Sequence, residues 1–415
     1  MLSRTKILVA AVAVGLTVTL VLVVLAPSPK KHGKAKSVFG ETLSTPVYGG
    51  VPGALPPGFD YVYNASLPGW PVSAINARHP IRGSFLDPRG FDDDGLSGYH
   101  FGIDINVDER HPDAGAPNGL SHRVYALDSG PARVRTAAAC GKRHVEVGHF
   151  SYWHTTAIVR PGQIVRAGQQ IGWSCRNYWH VHLSEWQEFQ KARVWVNPLH
   201  PGGPLRLPPS AYDDRRPPAI HRLVFVTPPA KPWHPKRSLA EADTSTSLSP
   251  VALHGRVELR AKIDDPQSYF GFLKQNPAWP ADFTPYRVAV AIRATNGSVV
   301  MKRVTFQADQ LPQTPYLFHY APGTVEAESM SECVGPPAHD QCSGAYWLRP
   351  FSRFKQEFWD TRKVSNGDYF VTVNARGIVG KGSSRTIRVT VHNQAAASSR
   401  SRIAASRSMR AEGPR

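Results

Sequence analysis

Cysteine is scarce, with four residues in a chain of 415. That excludes a small scaffold built on disulfides, and no two of the four are spaced as a zinc clip beside a histidine pair. Acidic residues are also few: 31 Asp and Glu against 49 Lys and Arg, a net charge of +18. A surface that basic favours polyanionic surroundings, whether nucleic acid, anionic lipid or an acidic cell-wall polymer, without choosing among them. Charged residues make up 19% and hydrophobic residues 41%, which excludes a wholly disordered chain or a coiled coil. No long internal repeat is present. A nucleic-acid recognition motif and a basic helix are missing too, so no nucleic-acid partner is expected and the Arg-rich end reads as a solvated segment.

Turn formers are abundant, with 34 Gly and 37 Pro, and they favour a β-rich architecture over a helical one. The length suits two or three domains. One apolar run stands out, Ile7 to Ala26, interrupted only by Gly15, Thr17 and Thr19. About 20 such residues cross a hydrocarbon core as a helix, and the run is longer than the usual apolar region of a cleaved signal. Pro27 makes a poor cleavage junction, so residues 1–26 are expected to be an uncleaved, single-pass membrane anchor; the alternative is a secreted protein whose signal is removed. Lys30, Lys31, Lys34 and Lys36 follow the run. The positive-inside tendency would place the long C-terminal part in the cytoplasm, and the chemistry below argues for the outside.

Residues 27–60, rich in Pro, Lys and Gly without a sustained period, read as a flexible tether. From 61 to 203, short apolar alternations separated by turn signals predict an all-β domain. Residues 204–250 are Pro-rich and read as an interdomain linker, with a short strand-like Leu223-Val-Phe-Val226 inside it. A second β domain is expected over 251–393. Val257, Leu259, Ala261 and Ile263 alternate with Arg256, Glu258, Arg260 and Lys262, the pattern of a strand with one face in water. Tyr286, Val288, Val290 and Ile292 repeat it before Asn296-Gly297, a strong hairpin turn. Further strands are expected at Tyr369–Val373 and Ile387–Val391, and the spacing favours a sandwich of the immunoglobulin or fibronectin kind. Residues 394–415, nearly all Ala, Ser and Arg, are expected to be disordered.

With 17 His in the chain, one His-x-His and one His-x-x-x-Asp are each expected roughly once by accident. The surroundings of His100-Phe-Gly-Ile-Asp104 and His180-Val-His182 carry more weight than the motifs. Phe101, Ile103, Ile105 and Val107 alternate with His100, Gly102, Asp104 and Asn106. In a strand, residues two and four apart share a face, so His100 and Asp104 point the same way and Gly102 leaves room between them. Val181 and Leu183 likewise oppose His180 and His182. Two strands that each pack an apolar face and offer polar ligands on the other can converge on one divalent zinc ion; three protein ligands and an open fourth position mark a catalytic zinc site. The alternative is a set of satisfied core or surface histidines.

The segments beginning His79-Pro-Ile-Arg-Gly-Ser-Phe-Leu-Asp-Pro-Arg89 and continuing Gly98-Tyr-His-Phe-Gly-Ile-Asp-Ile105 resemble the opening of the lysostaphin-type (LytM-like) zinc metalloendopeptidases. Val124-Tyr-Ala-Leu-Asp-Ser-Gly130, Phe150-Ser-Tyr-Trp-His154, Val159 to Gly172 and His180-Val-His182 are similar to that family's later motifs, in the same order, over roughly residues 75–200. The resemblance implies an antiparallel zinc peptidase domain in which His100, Asp104 and His182 hold Zn2+. It also implies that His154 and His180 orient the attacking water and stabilise the developing oxyanion, the acid–base work that a neutral imidazole can do. Asn106 or Glu185 are candidates to accept the second N–H of a ligand imidazole. The implied activity is hydrolysis of peptide cross-links in bacterial peptidoglycan by an extracytoplasmic enzyme. The rival is a non-catalytic relative that binds peptidoglycan or activates another wall hydrolase. The second domain would be an accessory module for positioning the enzyme or binding wall polymer.

The chain departs from the family pattern in two places. Thr136-Ala-Ala-Ala-Cys-Gly-Lys142 replaces a glycine-rich loop, and Trp173-Ser-Cys-Arg-Asn-Tyr-Trp179 replaces a small-residue segment before His180, which would narrow the groove. Cys140 and Cys175 flank the hairpin and are expected to form a disulfide, and Cys333 and Cys342 can close a small loop; the alternative is buried free thiols. Tyr99, Tyr152, Trp153, Tyr178 and Trp179 either line a cleft for a peptide or glycan or belong to the core.

Overall fold

The computed structural model describes residues 51–88, 98–229, 245–268, 282–312, 316–321, 324, 346–352 and 358–393. The anchor and most of the tether, the C-terminal tail, Cys333 and Cys342 lie outside the described residues. Among those described there is no α-helix, only short 3-10 turns between strands. None of the described residues forms a helix long and apolar enough to cross a membrane.

The first module is built on one antiparallel sheet. Its strands run in the order Ile81–Gly83, Ile103–Asn106, His180–Phe189, Phe150–Trp153, His144–Val147 and Arg133–Arg135, and Ala192–Val196 also pairs with His180–Phe189. A three-stranded sheet, Leu120–Tyr125, Gln170–Cys175 and Thr155–Ala157, and a two-stranded one, Gly130–Pro131 with Ile164–Val165, accompany it. The register follows from the apolar alternation. Val181 lies opposite Ile105, and Leu183 lies opposite both Ile103 and Tyr152. All five are fully buried, so this face is core and every alternate residue must project to the other face. That second face carries one row of cross-strand partners: Asp104, His182, Trp153 and His144.

The second module has a four-stranded antiparallel sheet, ordered Val299–Gln307, Arg287–Ala294, Gly367–Arg376 and Gly382–Val391. A second sheet centres on Arg256–Pro266, which pairs with Ala219–Val226, Asp282–Phe283, Tyr346–Leu348 and Trp359–Asp360. The Asn296-Gly297 turn forms as expected, with Gly297 donating its N–H to the Ala294 carbonyl and adopting φ 85°, a left-handed value that suits glycine.

Three sequence expectations need correction. The segment 204–250 is not only a spacer, because Ala219–Val226 pairs with Arg256–Pro266 from Ala219 opposite Asp264 to Val226 opposite Glu258. The strand-like tetrapeptide was visible there, but its neighbouring prolines suggested a linker. Residues 51–60 are not free tether. Ala54 and Leu55 are buried, Leu55 donates its N–H to Asp309, and Gln310 donates to the Ala54 carbonyl. Finally, the middle of the polar face of Arg256–Pro266 is not in water. Glu258 is fully buried, and its carboxylate accepts from Arg349 at 2.8 Å and Arg260 at 2.9 Å. The alternation is real, but buried cations take the place of solvent.

Candidate metal centre

The pleat and register described above bring Asp104 and His182 side by side on adjacent strands. His100 reaches them from the turn before its strand, four residues from Asp104. His100 Nε2 lies 2.7 Å from His182 Nδ1, and Asp104 Oδ1 lies 3.1 Å from each. All three side chains are buried, and together they form a group that can hold a metal ion.

The outward hydrogen bonds decide which atoms face inward. His100 donates Nδ1–H to the Ser84 carbonyl at 2.8 Å, which leaves the neutral ring's Nε2 as a lone pair toward the group. His182 Nε2 pairs with the Ser184 hydroxyl at 2.8 Å, so with that nitrogen donating, Nδ1 is likewise an acceptor. Two imidazole lone pairs and a carboxylate oxygen at these separations repel one another unless a cation lies between them. Nitrogen and carboxylate donors suit divalent first-row metals. The donor set therefore fits a metal ion on its own chemistry, and the acceptors that fix the rings are Ser84 and Ser184. The sequence candidates for that task serve elsewhere. Glu185 accepts from Tyr63 and Gln187 and pairs with His200, while the Asn106 side chain meets neither ligand ring.

His180 and His154 stand beside the group. His180 donates Nδ1–H to the Tyr178 carbonyl at 2.5 Å and turns Nε2 toward Asp104 Oδ1, 3.5 Å away. Burial holds its pKa well below the ordinary histidine value, against the opposing pull of the Asp104 carboxylate. His154 packs edge-on against His180, with ring centroids 4.6 Å apart, and stacks on Tyr178 at 4.4 Å. Its position depends on a backbone exception. Trp153 shares the face of His182, so regular alternation would send residue 154 into the core. His154 instead adopts φ 57°, a left-handed conformation that costs a non-glycine residue roughly 1–2 kcal/mol and turns the ring back to His180. All five residues singled out in the sequence thus lie together.

Gly102 is required by contact. A Cβ there would sit 2.3 Å from the Leu183 carbonyl oxygen and 2.7 Å from His182 Nε2. The aromatic residues divide between the two readings. Tyr99 and Tyr152 are core, and Trp153 is buried between His144 and Phe101, with centroids at 4.2 and 5.5 Å. Tyr178, half-buried, lies beside His154 and His180, and Trp179 is also half-buried.

The segments 136–142 and 173–179 meet here. Cys140 and Cys175 form the expected disulfide, which ties 136–142 to 173–179. Gly141 packs under Tyr178, where a Cβ would meet the hydroxyl at 2.7 Å. The turn before His180 contains Asn177 at φ 75° and Trp179 at φ 59°. Its backbone is held by Glu109, whose buried carboxylate accepts from the N–H of Asn177 at 2.6 Å and of Trp179 at 2.5 Å. Nothing in Asp108-Glu109-Arg110 distinguishes this acid from a solvated turn residue, so sequence reasoning missed it.

The second module also reaches the ligand shell. The Ser84–Asp87 turn that orients His100 is closed by Asp87, which accepts from Ser84 N–H and Oγ–H, both at 2.6 Å. Asp87 in turn accepts from the Thr284 N–H at 3.3 Å. The Tyr320 hydroxyl, 2.7 Å from that of Thr284, donates to the Leu86 carbonyl at 2.9 Å. Gln267 donates to the Ile81 carbonyl at 2.7 Å. The turn that aims His100 is therefore built from both modules.

No family model matches the chain, and no curated protein matches it.

Proposed function

We propose that this chain is a zinc-dependent endopeptidase that hydrolyses peptide cross-links of bacterial peptidoglycan, with its catalytic module outside the cell membrane. The observation that carries the reading is the convergence of His100, Asp104 and His182 with two further imidazoles, His180 and His154, that are not needed as ligands. In a tetrahedral zinc site with bonds of about 2.0–2.2 Å, neighbouring donor atoms lie about 3.3 Å apart. The separations of 2.7–3.1 Å here are slightly tighter and need only a small expansion. A zinc ion held by His100, Asp104 and His182 would supply a Lewis acid for the scissile carbonyl and would lower the pKa of a water to about 7.

The rest of the work falls to the chain. His180, its Nδ1–H fixed on the Tyr178 carbonyl, keeps a lone pair on Nε2 that can take a proton from the attacking water and pass it to the leaving amine. His154, next to it, offers an N–H to the oxygen on which negative charge develops. Half-buried Tyr178, stacked on His154, would narrow the approach and favour an extended, thin substrate such as a peptide strand. The Cys140–Cys175 disulfide supports an oxidising compartment and hence export. Residues 1–26 would anchor the chain, and the second module would be accessory and of β-sandwich type.

The rival reading, a peptidoglycan-binding module or activator, needs no metal. Metal content of the purified full chain separates the two. About one zinc per chain, lost in His182→Ala, supports the enzyme; a folded chain without metal favours the binding module. Export has its own test, because a C-terminal reporter active only in the cytoplasm would overturn it.

A further inference from the structure

The outer face of the four-stranded sheet in the second module has a composition that the metal chemistry does not use. Val288, Val290 and Ile292 point into the core, so Arg287, Ala289, Ala291 and Arg293 point out. Ala289 has Val304 on one side and Asn374 on the other, and Ala291 has Lys302 and Thr372. Small side chains thus form a floor two strands wide. Arg287 and Arg376 are direct cross-strand partners at one end of this floor. Lys302 lies opposite Ala291, four residues along the strand, or about 14 Å at the usual strand rise. The result is a groove of about 510 Å3 lined by Arg287, Lys302, Arg303 and Arg376 over Ala289 and Ala291.

Three of its charges lack acidic partners among the described residues. Lys302, Arg287 and Arg376 make no ion pair among the described residues, and the buried Nε of Arg287 has no hydrogen-bond partner there. Among the strand residues of this face Asp368 is the one acid, and it is taken up by Arg388 and Thr390. Arg287, Lys302 and Arg376, uncompensated along an open channel, create a positive potential that an extended anion would satisfy. The floor argues about what kind of anion. Nucleic-acid strands are gripped by aromatic platforms as well as by cations, but here the floor is Ala, Val, Thr and Asn, and the exposed ring of Phe370 lies one row beyond it. A polymer with phosphates at intervals and small hydroxylated units between them fits such a floor without stacking.

We propose that this groove binds a linear polyol-phosphate polymer of the cell wall. The inference rests on the wall-located reading for its occupant but not on the metal chemistry, so binding and hydrolysis can fail separately.

The test uses the purified full chain and fluorescently labelled poly(glycerol phosphate), with affinity measured by anisotropy across a salt series. The expected result is saturable binding that weakens with salt. Arg376→Glu should reduce affinity by about tenfold or more and make the slope of log affinity against log salt shallower by about one unit. Lys302→Gln should act in the same direction with a smaller loss. Lys363→Glu reverses an exposed charge in the same module away from the groove and should leave binding nearly unchanged. Melting temperature and metal content should match the parent in all three. No saturable binding by the parent would overturn the proposal, as would equal losses from Lys363→Glu and Arg376→Glu. Single-stranded DNA bound as tightly as the polymer would assign the groove to nucleic acid instead.

Discussion

Gly102→Ala is the most incisive single change at the candidate metal centre, because it adds one carbon and removes no ligand. That carbon would lie 2.3 Å from the Leu183 carbonyl oxygen and 2.7 Å from His182 Nε2. Ordinary contact begins near 3.5 Å, so the strands must separate by roughly 1 Å where His182 faces Asp104. A metal site tolerates distance errors of about 0.2 Å, several times less. Leu183 belongs to a paired core strand and cannot retreat alone, so overpacking should cost about 1–3 kcal/mol of stability. Metal affinity should fall about 100-fold, in the range seen when an oriented ligand loses its support. The assay is competition for zinc against a chelator of known affinity, with thermal unfolding of the metal-free protein measured alongside. A variant that binds zinc like the parent would refute the packing argument, because it would mean that the two strands can part without disturbing the ligands.

Other consequences are as direct. Tyr320→Phe removes the hydroxyl that holds the Leu86 carbonyl and should lower zinc affinity about fivefold to tenfold, with a changed visible spectrum when cobalt replaces zinc; an unchanged spectrum and affinity would detach the second module from the site. His154→Ala and His180→Ala should keep the metal and lose at least about 100-fold in turnover, whereas loss of metal in either would make it a ligand. Glu258→Ala strands Arg349 in the core and should cost about 3–5 kcal/mol, read as a lowered midpoint in urea. Reducing the Cys140–Cys175 disulfide should loosen the turn before His180, seen as faster amide exchange at Asn177 and Trp179 while the Ile103–Asn106 strand stays protected.

The site was legible because its logic is local. Two-residue alternation pairs His180 with His182 and sets Asp104 opposite the buried Ile103 and Ile105, whereas His100 lies before the strand, where the alternation breaks and Phe101 packs against His182 and Trp153. The strands of the second module were legible for the same reason. What escaped depends on partners distant in sequence. Glu109 grips the turn at 177–179, yet its own neighbourhood is an ordinary polar turn. Tyr320 supports His100 through Leu86 from more than 200 residues away, and no local pattern encodes that. The polar side of Arg256–Pro266 read as solvent-facing because alternation reports only that two faces differ; Arg349, which keeps Glu258 buried, lies 91 residues on. The strand at 219–226 was masked by its prolines, which mark turns at its ends and do not interrupt it.

The measurement that tests the central claim most directly is mass spectrometry of fragments released from purified peptidoglycan by the full chain, beside His182→Ala. The account predicts new free amino termini with the parent protein, their loss in the variant, and their loss and recovery when zinc is removed and restored. Equal release by both proteins would contradict it, as would no release by a folded, zinc-loaded parent.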